Sequence, residues 1–365
     1  MINVLIVEDS LSAAQLLRFI LSSDPEIRVV GVAPAGEDAI RDLVRLPVDV
    51  VTMDINLPGM NGFETTRRIM ETKPVPIAIV SSLVGSSKDA LNPFRVMEEG
   101  ALALLGKPPG PGHPDHEKRA MELIRTVRMI SEVKVFRRKA AITPPACGSR
   151  RPPATGARVV PAGAAPRPYS GRVTRNGRYR VVALGASTGG PSVIESILSM
   201  LGPGYPLPIL VVQHITSGFT EGFADWIRKS SGFPMRVARH GESPEPGTAY
   251  VAPNDVQMGL SAGGSIALDP HRGPIHGMRP SVSYLFESVA STMGKRAIGV
   301  ILSGMGSDGS KELGLIRECG GITIAQDLES CIVPGMPGEA GRLGSADLIL
   351  RPESIAGKLL SLSGE

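Results

Sequence analysis

Residues Val181 to Gly190 read Val-Val-Ala-Leu-Gly-Ala-Ser-Thr-Gly-Gly, with Pro191 directly behind them. Val181 to Leu184 is a short apolar run that opens with two β-branched residues, the pattern of a buried parallel strand. Pro191 suits the first turn of a helix, and Val193, Ile194, Ile197, Leu198 and Leu201 follow at helical spacing. The intervening residues, Gly185 to Gly190, are nearly all small. Ser187 is therefore expected on a sharp strand-to-helix turn, its hydroxyl at the sheet edge beside the unpaired N–H groups of the helix start. A nucleophile needs that position, with backbone donors ready for a developing oxyanion. A glycine-rich phosphate loop or a plain tight turn has the same look, so this segment alone leaves the three open.

Two more candidates follow in the same half. Pro208 to Gln213 is an apolar strand ending at His214, and Phe219 to Lys229 is a helix. Ala249–Ala252, Val256–Leu260 and Ser265–Leu268 read as short antiparallel strands between Gly, Pro and Asn turns. Ser283 to Met293 is a helix, and the strand Ala297–Leu302 opens into Ser-Gly-Met-Gly-Ser-Asp-Gly (303–309) before a helix over Ser310–Cys319. Asp308 in that loop would ordinarily be a helix N-cap. Together, Ser187, His214 and Asp308 each follow a hydrophobic strand, and such a trio can supply nucleophile, general base and orienting carboxylate. Their order argues against an α/β-hydrolase, in which the histidine comes last. His271 and His276 in a Gly/Pro loop, like His113, His116 and His240, show no strong metal-ligand pattern.

The first 130 residues alternate strand-like and helix-like segments: Asn3–Val7, Leu11–Leu21, Ile27–Ala33, Glu37–Leu46, Val50–Met53, Gly62–Met70, Ile77–Val80, Ala90–Glu98, Ala101–Leu105 and Glu117–Val135. Five β/α units predict an open, doubly wound parallel sheet that binds its ligand beyond the C-terminal strand ends. The polar residues there are Glu8, Asp9, Asp54, Ser81 and Lys107. Three carboxylates brought together would repel unless a divalent cation such as Mg²⁺ sat among them. Lys107 would neutralise more charge, and Ser81 would hydrogen-bond a group built on Asp54.

At 365 residues the chain is long enough for two domains. No apolar run approaches the roughly 20 residues of a membrane span, and Met1 to Val7 lacks the basic flank and cleavage site of a signal peptide. Cys147, Cys319 and Cys331 are odd in number and form no Cys-x-x-Cys pair, which points to free thiols in a reducing cytoplasm. The net charge of +4 misleads, because Val133 to Arg180 holds twelve Lys or Arg and no acid. Without that stretch the chain carries −8, and nucleic-acid binding loses most of its support. From Phe136 to Arg178 periodicity gives way to Pro, Gly, Ala and Arg, the composition of an extended linker. Its basic charge suits contact with an acidic partner surface ahead of the other reading, an RNA-binding tail.

Across residues 1–125 the chain resembles the receiver domain of two-component response regulators. The signature is Val-Glu-Asp-Ser (7–10), Met-Asp-Ile-Asn-Leu-Pro-Gly-Met-Asn-Gly (53–62), Val-Ser-Ser (80–82) and Lys-Pro (107–108). The resemblance implies that Asp54 accepts a phosphoryl group from a histidine kinase, and that Glu8, Asp9, Asp54 and the Asn56 carbonyl hold Mg²⁺. It also implies that Ser81 and Lys107 contact the phosphoryl oxygens. Leu104 departs from the aromatic switch residue common three positions before the lysine.

Residues 178–362 resemble the catalytic domain of the chemotaxis response-regulator methylesterases. The matching stretches are Gly-Ala-Ser-Thr-Gly-Gly (185–190), Gln-His-Ile-Thr-Ser-Gly-Phe-Thr (213–220), Arg-Pro-Ser-Val-Ser-Tyr-Leu-Phe (279–286), Ser-Gly-Met-Gly-Ser-Asp-Gly (303–309), Ala-Gln-Asp (325–327) and Pro-Gly-Met-Pro (334–337). The resemblance implies hydrolysis of glutamate γ-methyl esters, and deamidation of certain glutamines, on the signalling helices of methyl-accepting chemoreceptors. It makes Ser187 the nucleophile, His214 the base and Asp308 its orienting partner, with oxyanion contacts at Thr188 and the backbone N–H of Met305. No cofactor is implied for ester hydrolysis.

The expectation is an α/β protein: a (βα)5 receiver over 1–130, a basic Pro/Gly/Ala-rich linker over 131–178 and a serine hydrolase over 179–365. The hydrolase should have a mainly parallel sheet and a short antiparallel hairpin region. A cytoplasmic monomer is expected, with a kinase and chemoreceptors as partners, no nucleic acid and no membrane insertion. The competing reading is a response regulator whose output domain binds a partner without catalysis.

Overall fold

In the first unit, strands that are mostly buried, except along the edge strand Ile27–Ala33, alternate with one-sided helices. The elements are β1 (Ile2–Val7), α1 (Leu11–Ser22), β2 (Ile27–Ala33), α2 (Gly36–Arg45), β3 (Val50–Met53), α3 (Gly62–Thr72), β4 (Ile77–Ser81), α4 (Arg95–Glu99), β5 (Ala103–Gly106) and α5 (His116–Ser131). A computed structural model of the chain describes residues 1–81, 94–133, 135 and 178–364. Most of the expected linker, and the start of the helix expected at Ala90–Glu98, lie outside them.

Local chemistry accounts for the helices. Ser10 caps α1 by accepting the Ala13 N–H, and Ala14, Leu17, Ile20 and Leu21 bury one face. In α2, Glu37 and Asp38 sit in the first turn and Arg45 in the last, each complementing the helix dipole. The strands pair in parallel in the order β2-β1-β3-β4-β5. Successive strands leave β1 on opposite sides, which opens a crevice above the C-terminal ends of β1 and β3.

The second unit continues with β6 (Val181–Ala186), α6 (Gly190–Leu201), β7 (Ile209–Gln213), α7 (Thr220–Ser230), β8 (Met235–Val237), β9 (Ala249–Val251), β10 (Gln257–Leu260) and β11 (Ile266–Asp269). Then come α8 (Val282–Met293), β12 (Ala297–Ile301), α9 (Ser310–Glu318), β13 (Ile322–Gln326), α10 (Gly335–Arg342), β14 (Leu348–Leu350) and α11 (Pro352–Ser363). Seven strands form one sheet in the order β14-β13-β12-β6-β7-β9-β8, and every neighbouring pair is parallel.

One strand direction differs from expectation. Ala249–Val251 runs parallel between β7 and β8, and only β10 and β11 form an antiparallel pair, separate from the main sheet. All three residues of β9 are buried, the mark of a strand covered on both faces, but three residues are too few for a pattern to reveal direction. The expected elements also lack the equally short β8 and β14, and β13, α10 and α11 towards the end of the chain.

The two units meet through aromatic rings. Phe94, just before α4, is 1% exposed and stacks on Trp226 of α7 at 5.8 Å between centroids. Phe223 lies 5.3 Å from the same ring and Phe219 meets it edge-on at 6.4 Å. One apolar cluster therefore runs from the first unit into the second through these side chains. No helix among the described residues is long and apolar enough to cross a membrane.

Candidate active site and phosphoacceptor pocket

β12, β6 and β7 are adjacent at the centre of the seven-stranded sheet, and Asp308, Ser187 and His214 follow their respective C-terminal ends. From β6 the chain builds first towards β7, β9 and β8, then returns to β12 on the other side. The crevice over β6 is the switch point where such sheets bind ligands.

Ser187 is 9% exposed. Its N–H donates to the Ser303 carbonyl at 3.0 Å, and its own carbonyl accepts from the Gly190 N–H at 2.9 Å and from Gln213 Nε2 at 2.7 Å. Gly189 completes the turn at φ 79°, a conformation in which a side chain would be strained. Across from it, a Cβ on Gly304 would lie 2.8 Å from Ser187 Cβ and 2.3 Å from Met336 Sδ. Only glycine lets the loop carrying Met305 approach the serine so closely.

His214 Nε2 lies 2.9 Å from Asp308 Oδ2, whereas Nδ1 is buried with no hydrogen-bond partner. With the carboxylate facing Nε2, the imidazole proton belongs there by assignment from its partner, which leaves the Nδ1 lone pair free to take a proton. Asp308 accepts three further hydrogen bonds: from Ser281 Oγ at 2.7 Å, the Val282 N–H at 2.7 Å and the Ser283 N–H at 3.1 Å. Burial pushes its carboxyl up, but His214, Ser281 and the Val282 amide outweigh it and hold the group down at about 2. The carboxylate thus serves the N-terminus of α8, an earlier helix, while Gly309 occupies the cap position of α9.

Thr188 is half-buried and Met305 is exposed, and both line a cleft of about 560 Å³ together with Ser187 and His214. Its opposite wall comes from the first unit, with Leu104, Arg119, Glu122 and Arg125. Thr216, two residues beyond His214, donates to Glu122 Oε1 at 3.2 Å. Burial between the units pushes the Glu122 carboxyl up, against that hydrogen bond and the nearby Arg119 and Lys118. The sequence marks Ser281, Ser283 and Ser303 only as members of longer motifs, because nothing in it says that Ser281 and Ser283 meet the Asp308 carboxylate or that Ser303 meets the turn around Ser187.

In the first unit Glu8, Asp9 and Asp54 converge above β1 and β3, with ligand oxygens within 4.8 Å of one another. Glu8 and Asp54 are buried and Asp9 is exposed. Lys107 Nζ donates to Asp54 Oδ2 at 2.7 Å and to Glu8 Oε1 at 2.8 Å. Glu8 Oε2, though 2.7 Å from the same ammonium, is buried and makes no hydrogen bond. Burial raises the Glu8 carboxyl, with Lys107 pulling the other way. Burial also lowers Lys107, but its bonds to Asp54 and Glu8 leave it raised overall. Three converging carboxylates with a single ammonium among them leave net negative charge on hard oxygen donors, so the donor set fits Mg²⁺. Ser81 is fully buried at the end of β4, and Asn56 is exposed in the loop after Asp54.

Residues 182–359 match the family model for CheB methylesterase, and residues 4–113 match the response regulator receiver domain. The chain is 50% identical over its whole length to protein-glutamate methylesterase/protein-glutamine glutaminase 1 of Syntrophus aciditrophicus, covering 99% of it. It is 47% identical, again over its whole length, to the protein-glutamate methylesterase/protein-glutamine glutaminase of Nitrosospira multiformis, covering 98% of that protein. The crystal structure of the Thermotoga maritima CheB methylesterase catalytic domain is 37% identical, with a TM-score of 0.49, over 50% of this chain and 98% of that one. With a receiver segment ahead of a methylesterase segment and relatives that align from end to end, the chain belongs to the protein-glutamate methylesterase/protein-glutamine glutaminase family.

Proposed function

We propose that this protein is a phosphorylation-controlled esterase that hydrolyses glutamate γ-methyl esters on chemoreceptors and deamidates glutamines there, with Ser187, His214 and Asp308 as its working residues. The observation that carries the reading is the pairing of His214 Nε2 with a buried, four-fold hydrogen-bonded carboxylate while Nδ1 is left free. The Ser187 oxygen attacks the ester carbonyl carbon as His214 Nδ1 takes its proton, and the imidazolium is stabilised by Asp308. The oxyanion is met at Thr188 and at the Met305 N–H. Collapse breaks the C–O bond, and methanol leaves with the proton from Nδ1. Water then attacks the acyl carbon and gives a proton to Nδ1; collapse breaks the bond from that carbon to Ser187 Oγ, Nδ1 returns the proton to Oγ, and a free glutamate is left.

Asp54 is the phosphoacceptor, with a histidine kinase as donor. Glu8, Asp9, Asp54 and the Asn56 carbonyl would hold Mg²⁺, which supplies charge neutralisation for the incoming phosphoryl group. Ser81 and Lys107 contact its oxygens. The receiver (1–130) is joined by a linker (131–178) to the hydrolase (179–365). Unphosphorylated, it limits substrate access, a reading supported by the cleft that Ser187 and His214 share with Glu122 and Arg125. The test is methanol release from methylated receptor membranes with and without phosphodonor. Stimulation in the wild type, none in Asp54→Ala and no release by Ser187→Ala are expected. Normal release by Ser187→Ala would overturn the mechanism.

A further inference from the structure

The β10–β11 hairpin stands outside the main sheet and gives no atom to the chemistry above, yet its Gln257 is completely buried. Gln257 Oε1 accepts the Ser281 N–H at 2.8 Å, and Nε2 donates to the carbonyls of Gly273 at 3.2 Å and Met278 at 3.3 Å. One amide thus ties the loop before α8 to the hairpin and delivers Ser281, itself 0% exposed, beneath the Asp308 carboxylate. The two carboxylate oxygens divide the work. Oδ2 receives His214 Nε2 and the Val282 N–H, while Oδ1 receives the Ser281 hydroxyl and the Ser283 N–H.

We propose that Ser281, held in place by Gln257, is a positioning residue for ester hydrolysis that fixes the plane of the Asp308 carboxylate so that Oδ2 faces His214. This rests on the reading of Ser187, His214 and Asp308 as the hydrolytic residues. The physical reason is rotation about the Asp308 Cβ–Cγ bond, which is broad for a carboxylate. Each oxygen has a single backbone donor from α8, and the one on Oδ1, at 3.1 Å, is the longest of the four contacts. Without the Ser281 hydroxyl that long bond alone would hold Oδ1, and the carboxylate could turn away from the line of His214. A base displaced by a fraction of an ångström loses proton-transfer efficiency while substrate binding stays as it was.

The test uses the full-length protein with phosphodonor and methylated receptor membranes. Ser281→Ala should lower kcat about tenfold or more with KM within about twofold, the signature of an interaction used only in the transition state. In an Asp308→Ala background, followed at high enzyme concentration over hours, Ser281→Ala should cost nothing further, because its partner is gone. Ser281→Cys keeps the size and offers only a weak S–H donor, so it should lower kcat in the same way even where the alanine variant fails to fold. Wild-type kcat in Ser281→Ala or Ser281→Cys, or an equal loss with and without Asp308, would overturn the proposal. Failure of the hydrolase reading itself shows up separately, as normal turnover in Ser187→Ala.

Discussion

Phe94→Ala should switch the unphosphorylated enzyme on. The Phe94 ring is 1% exposed, and its three aromatic neighbours, Phe219, Phe223 and Trp226, all belong to the other unit. Truncating a buried phenylalanine costs about 3–5 kcal/mol, and aromatic pairs contribute about 0.5–1.5 kcal/mol each beyond burial. Some of that loss falls on the receiver's own packing near α4, which leaves about 2–3 kcal/mol lost from docking between the units. The ratio of open to docked protein then rises about 30- to 150-fold. From a docked-to-open ratio of about 100:1, that brings the two states within a factor of about three. Basal methanol release should approach the phosphodonor-stimulated rate of the wild type, and phosphodonor should add little. The measurement is initial methanol release from methylated receptor membranes, with circular dichroism to check the fold. Basal turnover equal to wild type in a folded Phe94→Ala protein would refute access control through this contact.

Four other outcomes are expected. His214→Ala should lower methanol release by about 10²–10⁴-fold with receptor binding retained in a pull-down; a loss of binding instead would recast the histidine as a contact residue. A small phosphodonor should label the wild type only with Mg²⁺ present and should not label Asp54→Ala, read by intact-protein mass spectrometry; labelling of Asp54→Ala would move the acceptor elsewhere. Gly304→Ala should reduce kcat at least about tenfold, because the new methyl displaces either Ser187 or Met336; unchanged kcat would show that the loop has room to give. Asp308 is held at about 2 against an ordinary 3.8, so its folded value is depressed. It should contribute about 2 kcal/mol of stability that is fully present above about pH 4 and lost as pH falls through about 2. The gap in urea stability between wild type and Asp308→Asn should accordingly narrow on acidification, and a gap independent of pH would contradict the assignment.

The sequence by itself carried what is local. Apolar runs followed by small residues and helical spacing placed Ser187, His214 and Asp308 after strands, and Glu8, Asp9 and Asp54 after two others. Strand and helix periodicity is written in the order of residues, so the elements read from it matched to within a few positions, whereas β8, β13, β14, α10 and α11 were not among them. Quoted motifs also carried the family. Tertiary structure alone decided which strands are neighbours. Nothing in the one-dimensional order says that β12 returns beside β6 or that β9 runs parallel to β7, because strand pairing is settled by long-range hydrogen bonding and burial. The same holds for the partners of Asp308, where a serine and two amides from a helix 26 or so residues earlier meet its carboxylate. It holds too for the meeting of Phe94 with Trp226, since two apolar rings far apart in the chain become partners only when folding has removed both from water.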